Sequence, residues 1–164
     1  MSKYHPVEVM GVRVEMPSNQ PIVLLKELDG ARYLPIWLGA VEATAIAFAQ
    51  EGINPNRPLT HDLISHLLDH TGNVLTAVHI TELRDGIFFA NLELRNDGGA
   101  LEPLSARPSD AIAIALRVKA NILVESDLME KVGIEAPQGA GDESEVDLEA
   151  FREFLDQINP EDFA

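Results

Sequence analysis

Glu42, His61, Asp62, Arg107 and Asp110 all stand where a loop runs into the start of a predicted helix. Glu42 follows the segment LPIWLG (34–39), His61 and Asp62 close RPLTHD (57–62), and Arg107 and Asp110 lie in SARPSDA (105–111). A helix start leaves its first backbone N–H groups unpaired and carries the positive end of the peptide dipole, so it favours anions. Arg107, just before a proline-fixed helix start, suits a phosphate or carboxylate. His61 suits a general base or a metal ligand, and Asp62 a hard oxygen ligand for a magnesium-type ion. Structural roles compete at every position. Trp37, the only tryptophan, can pack in the core, and Glu42 and Asp110 are ordinary first-turn residues. Thr60, Asp62 and Ser109 are good caps, His61 can be a bystander in solvent, and Arg107 can pair with Asp62 or Glu42. Asp62, His66 and His70 recur on one helical face, a spacing open to metal ligation. It also describes a solvated face beside the stripe of Leu63, Ile64, Leu67 and Leu68.

The elements that must position these residues can be read from periodicity and punctuation. Residues 7–15 and 21–28 read as strands, and Asp29-Gly30 is a two-residue hairpin signal that returns 31–37 antiparallel. Gly39 opens the helix AVEATAIAFAQE, and Gly52 closes it. After the loop INPNRPL, Thr60 caps HDLISHLLDHT, which ends at Gly72. Strands at 74–83 and 87–95 meet at Asp85-Gly86, and the turn 96–99 leads to a short strand over 100–105. Ser109 caps DAIAIALRVKA, 121–125 is a strand, and a brief helix from Ser126 stops at Gly133. Hairpins interleaved with helices predict an α+β fold, with a mixed, largely antiparallel sheet and helices packed on it. That body occupies 1–135. Residues 136–164 follow as a linker, APQGAGDESE, and an acidic helical tail with an apolar stripe of Leu148, Phe151, Phe154, Leu155 and Ile158. The stripe is an expected docking face on the same chain or a neighbour. Edge strands in such a small domain favour a homo-oligomer, a dimer first.

Composition narrows the function classes. With 164 residues the chain is long enough for one sizeable core. It has no cysteine, which excludes disulfides, thiolate metal sites and cysteine nucleophiles. The start, MSKYHPVEVMGVRVE, contains no signal-like apolar stretch, and no apolar run reaches membrane-spanning length, so the expectation is a cytoplasmic protein without membrane contact. The net charge is -15, and residues 138–164 carry nine acidic side chains against Arg152 alone. The body is only mildly acidic, yet its sign is wrong for gripping nucleic acid by counterion release.

Together the segments LPIWLG, RPLTHDL and ARPSDA, in this order, resemble the bifunctional nuclease domain family of small bacterial and plant proteins. The resemblance runs from about residue 7 to 133, and the combination is specific where no single motif is. It implies an α+β domain and, for some members, nuclease activity on DNA and RNA. The matched polar positions are Glu42, His61, Asp62, Arg107, Ser109 and Asp110. Phosphodiester hydrolysis needs a nucleophilic water, charge neutralisation and usually a divalent ion. Glu42, Asp62 and Asp110 are the expected ligands of magnesium or manganese. His61, Asp62, Arg107 and Asp110 are the expected catalytic set, and Trp37, Arg107 and Ser109 are expected to hold DNA or RNA. The rival reading is a non-catalytic regulatory module that recognises a small anion or a protein partner. Convergence of Glu42, Asp62 and Asp110 favours the enzyme, and separate salt-bridged helix caps favour the module.

Overall fold

The computed structural model describes residues 3–15 and 18–135, so the predicted linker and tail lie outside the described residues. The chain opens with a meander of β1 (Tyr4–Glu15), β2 (Gln20–Glu27) and β3 (Arg32–Trp37), then two helices, α1 (Ala40–Glu51) and α2 (Thr60–His70). The hairpin of β4 (Val74–Arg84) and β5 (Ile87–Asn96) follows, with two short strands, β6 (Gly99–Ala100) and β7 (Leu104–Ala106), both against β5. Helix α3 (Pro108–Val118), β8 (Asn121–Glu125), α4 (Ser126–Val132) and β9 (Ile134–Glu135) complete the body. The fold is α+β, as expected. Its strands form one mixed sheet in the order β6-β5-β4-β8-β1-β2-β3-β9, in which β4 and β8 pair in parallel and the other pairs are antiparallel.

Local chemistry explains most of these boundaries. Asp85 and Gly86 both take positive φ, 52° and 75°, which is the primed turn that the Asp-Gly pair predicts. The first hairpin differs. Glu27 and Arg32 bound a four-residue connection rather than the predicted two-residue turn, and Gly30 is not in the left-handed region. A side chain at Gly30 would collide with the Glu27 carboxylate, so this glycine supplies room rather than φ freedom. Gly52 does close α1 in the left-handed conformation, at φ 67°. The caps at the other helix starts differ from expectation. Helix α2 begins at Thr60 itself with Leu59 at the N-cap, and α3 begins at Pro108 with Arg107 at the N-cap. Thr60 and Ser109 are thus helical residues and not caps. The expected strand over 100–105 is two fragments separated by a gap containing Pro103, whose missing N–H cannot join a ladder.

One face of the sheet carries the helices and the core. Val23, Leu25, Leu34 and Ile36 from the meander meet Ile46 of α1, Ile112 of α3 and Met129 of α4. Ala111, Ala113 and Ala115 are buried, and their small side chains let α3 lie close to the sheet and to α1. The stripe on α2 splits. Ile64 and Leu68 pack on the core, but Leu63 and Leu67 are exposed, because α2 lies at the rim and leans mainly on α3. No described helix is long and apolar enough to cross a membrane.

Candidate functional site

The first turns of α1, α2 and α3 meet, and their polar side chains form one connected group. Arg107 stands at the N-cap of α3 with its guanidinium between two carboxylates, 2.9 Å from Glu42 Oε1 and 2.8 Å from Asp110 Oδ2. The other oxygen of Asp110 lies 2.8 Å from His61 Nε2. An ionised carboxylate only accepts, so Nε2 carries the proton in this contact. The chain Glu42–Arg107–Asp110–His61 therefore joins all three motif segments. Gly39 permits it, because a side chain there would collide with the Glu42 carboxylate, which folds back over the helix start. Arg107 is 65% exposed, whereas the His61 side chain is 9% exposed, buried behind Asp110 and not the bystander in solvent that was one alternative.

The electrostatics follow from that packing. Burial acts most strongly on Asp110 and pushes its pKa up, but the hydrogen bonds from Arg107 and His61 outweigh it and hold the carboxyl below its ordinary value. Arg107 is held above its usual value, chiefly by Asp110. Asp110 is thus anionic near neutrality, and it and Glu42 face one cation, with three helix N-termini adding positive potential.

Asp62 is not in this group. Its Oδ1 lies 2.7 Å from Arg117 Nε, and its Oδ2 accepts the Leu59 N–H at 2.9 Å. Burial, the largest influence on Asp62, raises its pKa, yet Arg117 and the Leu59 amide bring it below the usual range. Arg117, its side chain 9% exposed, also donates to the carbonyls of Ala45 and Ala113, at 3.0 and 2.8 Å. One guanidinium so ties α1, α2 and α3 behind the site. Sequence reasoning passed over Arg117. Its signal was a lone arginine in the otherwise apolar run AIAIALRV. Ser109 is buried, and Trp37 pairs with Ile22, so the strand alternation puts it on the sheet face away from the core cluster. Neither joins the group. Among the described residues, no three His, Asp or Glu side chains gather as a metal-binding set.

The model of the bifunctional nuclease domain matches residues 23–137. The chain belongs to the bifunctional nuclease domain family. The matched region of the family domain contains every residue of the connected group and Arg117 besides. A Mycobacterium tuberculosis protein named only as uncharacterized is 46% identical over 162 residues, covering 96% of each chain. Bifunctional nuclease 1 of Arabidopsis thaliana is 32% identical over 114 residues, 68% of this chain and 35% of the plant protein. Bifunctional nuclease 1 of rice, Oryza sativa subsp. japonica, is 29% identical over 147 residues, 88% of this chain and 44% of the rice protein. The chain spans less than half the length of these plant relatives.

Proposed function

We propose that the protein is a nuclease that hydrolyses DNA and RNA phosphodiester bonds with low sequence specificity at the Glu42–Arg107–Asp110–His61 group. The observation that carries this reading is Arg107, an exposed guanidinium held at a helix start where the three motif segments meet. The names of the plant relatives, bifunctional nucleases, point the same way.

Each residue has a task within that proposal. Arg107 receives the phosphate and offsets charge as it builds on the phosphoryl oxygens. Asp110, kept ionised, orients Arg107, and His61 positions Asp110 from the buried side. Trp37 and Ser109 stand outside this group and are given no step in it. Magnesium or manganese fits the donor set in part. Glu42 and Asp110 already share one cation and would hold the ion, whereas both oxygens of Asp62 are engaged. When bound, the ion would supply Lewis acidity and a more acidic water.

The non-catalytic module keeps one specific support, since every candidate carboxylate is already paired with an arginine. Purified protein should cut single-stranded DNA and RNA with magnesium or manganese, and Arg107→Ala should slow the cutting about 100-fold. Cleavage by neither cation, or equal cleavage by the variant, would transfer the conclusion to an anion-binding module.

A further inference from the structure

Five leucines gather at the rim of the domain and stay in solvent. On α2, Leu59, Leu63 and Leu67 recur every four residues and so share one stripe. Leu63 is 58% exposed and Leu67 is 56% exposed. The stripe turns away from α3, because His61 and Asp62, which reach Asp110 and Arg117 of that helix, stand on the other side of α2. At the edge of the sheet, Leu104 pairs with Leu92, and the Leu101 N–H donates to the Leu94 carbonyl. Residues opposite each other on neighbouring strands point to one face, and Leu92 and Leu94 pack on the helix side. Leu101 and Leu104 therefore lie on the same side of the sheet as α2, and both are exposed, Leu104 at 54%. The two sets are neighbours. Helix α2 runs directly into β4, whose Val74 pairs with Arg95, and Asn73 bonds to Asn96 at the end of β5, the strand that carries β6 and β7. Single exposed leucines need no explanation, but a contiguous patch of them marks a contact surface.

Charge identifies what fits over the patch. At a net charge of -15, copies of the chain repel one another over most of their surface. The patch is different. Both acids of α2, Asp62 and Asp69, lie two turns apart on the side away from the leucine stripe. Along the stripe's solvent side run His66 and His70, both exposed, while exposed Glu102 stands between Leu101 and Leu104 at the far margin. Across the rim the order is histidine, leucine of α2, leucine of the sheet edge, glutamate. A two-fold axis through the middle reverses that order in the second copy. Leucines then cover leucines, and the histidines of each copy meet Glu102 of the other. An imidazole N–H donates to a carboxylate whether or not the ring is charged. We infer that this rim is the face through which two copies of the chain pair, with α2 of each lying over Leu101 and Leu104 of the other. The contact is one helix long, about 16 Å, which places it among small interfaces and the dissociation constant in the micromolar range.

Sedimentation equilibrium of the full chain between about 1 and about 100 µM tests this directly. The wild type should titrate from monomer to dimer across that range. Leu63→Asp with Leu67→Asp alters exposed side chains only, so the variant should keep its far-ultraviolet dichroism and remain monomeric. A charge swap tests the two-fold order without touching the leucines. Glu102→Lys should weaken the dimer at least about tenfold, and so should His66→Glu with His70→Glu. All three changes in one chain should restore it, because lysine then meets glutamate across the axis. A wild type that stays monomeric throughout the range overturns the inference. So does a dimer that survives the leucine changes, since its interface lies elsewhere. A triple variant no tighter than Glu102→Lys overturns it as well, because the histidine and glutamate margins then do not face each other.

Discussion

At the scale of single residues, the two arginines near the site separate chemistry from architecture. Arg107 is mostly exposed and, among the described residues, its guanidinium pairs within the connected group, so Arg107→Ala removes the proposed phosphate contact at little structural cost. Cleavage should fall about 100-fold, the size typical of losing one preorganised donor, while the urea midpoint hardly moves. Asp62→Ala should do the reverse. It leaves the buried guanidinium of Arg117 without its carboxylate and loosens the start of α2. Breaking a buried pair from one side costs roughly 3 kcal/mol, so the urea midpoint should drop clearly at constant slope. Cleavage per folded molecule should fall much less than stability does. If Asp62→Ala instead stops cleavage in a protein of unchanged midpoint, Asp62 belongs to the chemistry and its pairing with Arg117 is incidental.

At the scale of elements, glycines and buried acids decide how strands and helix starts meet. Gly39→Ala places a methyl group where the Glu42 carboxylate lies. Glu42 must then leave Arg107, and cleavage should fall by between about 10- and 100-fold, as expected when an orienting group is displaced by about an ångström. Stability should fall by about 1 kcal/mol, since alanine is much worse than glycine at an N-cap. Glu27 carries the acid response of the meander. It lies 2.9 Å from Arg32 and 3.0 Å from His5, and the Arg32 hydrogen bonds hold its pKa below the ordinary value. A depressed folded pKa contributes stability that is full above the unfolded value, about 4.3, and is lost as pH falls through the folded one. The melting temperature should therefore decline steeply below about pH 4, and Glu27→Gln should flatten that decline. The elements themselves were largely legible, because long alternating strands and the glycine closing α1 announce themselves locally. The first hairpin was not, since Asp29-Gly30 looks like a tight turn until the long-range packing of Glu27 is known. Likewise LPIWLG, RPLTHD and ARPSDA were visible as segments. Their split into a connected group and a separate Asp62–Arg117 clasp depends on how three helices cross, which no local pattern encodes.

At the scale of the whole molecule, the charge of -15 opposes the proposed substrate. Strong nucleic-acid binders lose affinity steeply with salt, with a logarithmic slope near -0.9 per phosphate neutralised on duplex DNA and about -0.7 on single strands. Here Arg107 is the cation the connected group offers, so that slope should be shallow, and repulsion by the acidic body works in the opposite direction. Raising ionic strength from about 0.01 M to about 0.15 M shortens the screening length from about 30 Å to about 8 Å. At fixed divalent-ion concentration, kcat/KM on single-stranded DNA should then stay level or rise. A fall in kcat/KM of several orders of magnitude with added salt would mean that many phosphates are neutralised at once. The connected group offers one arginine, so the missing charge would have to come from outside it.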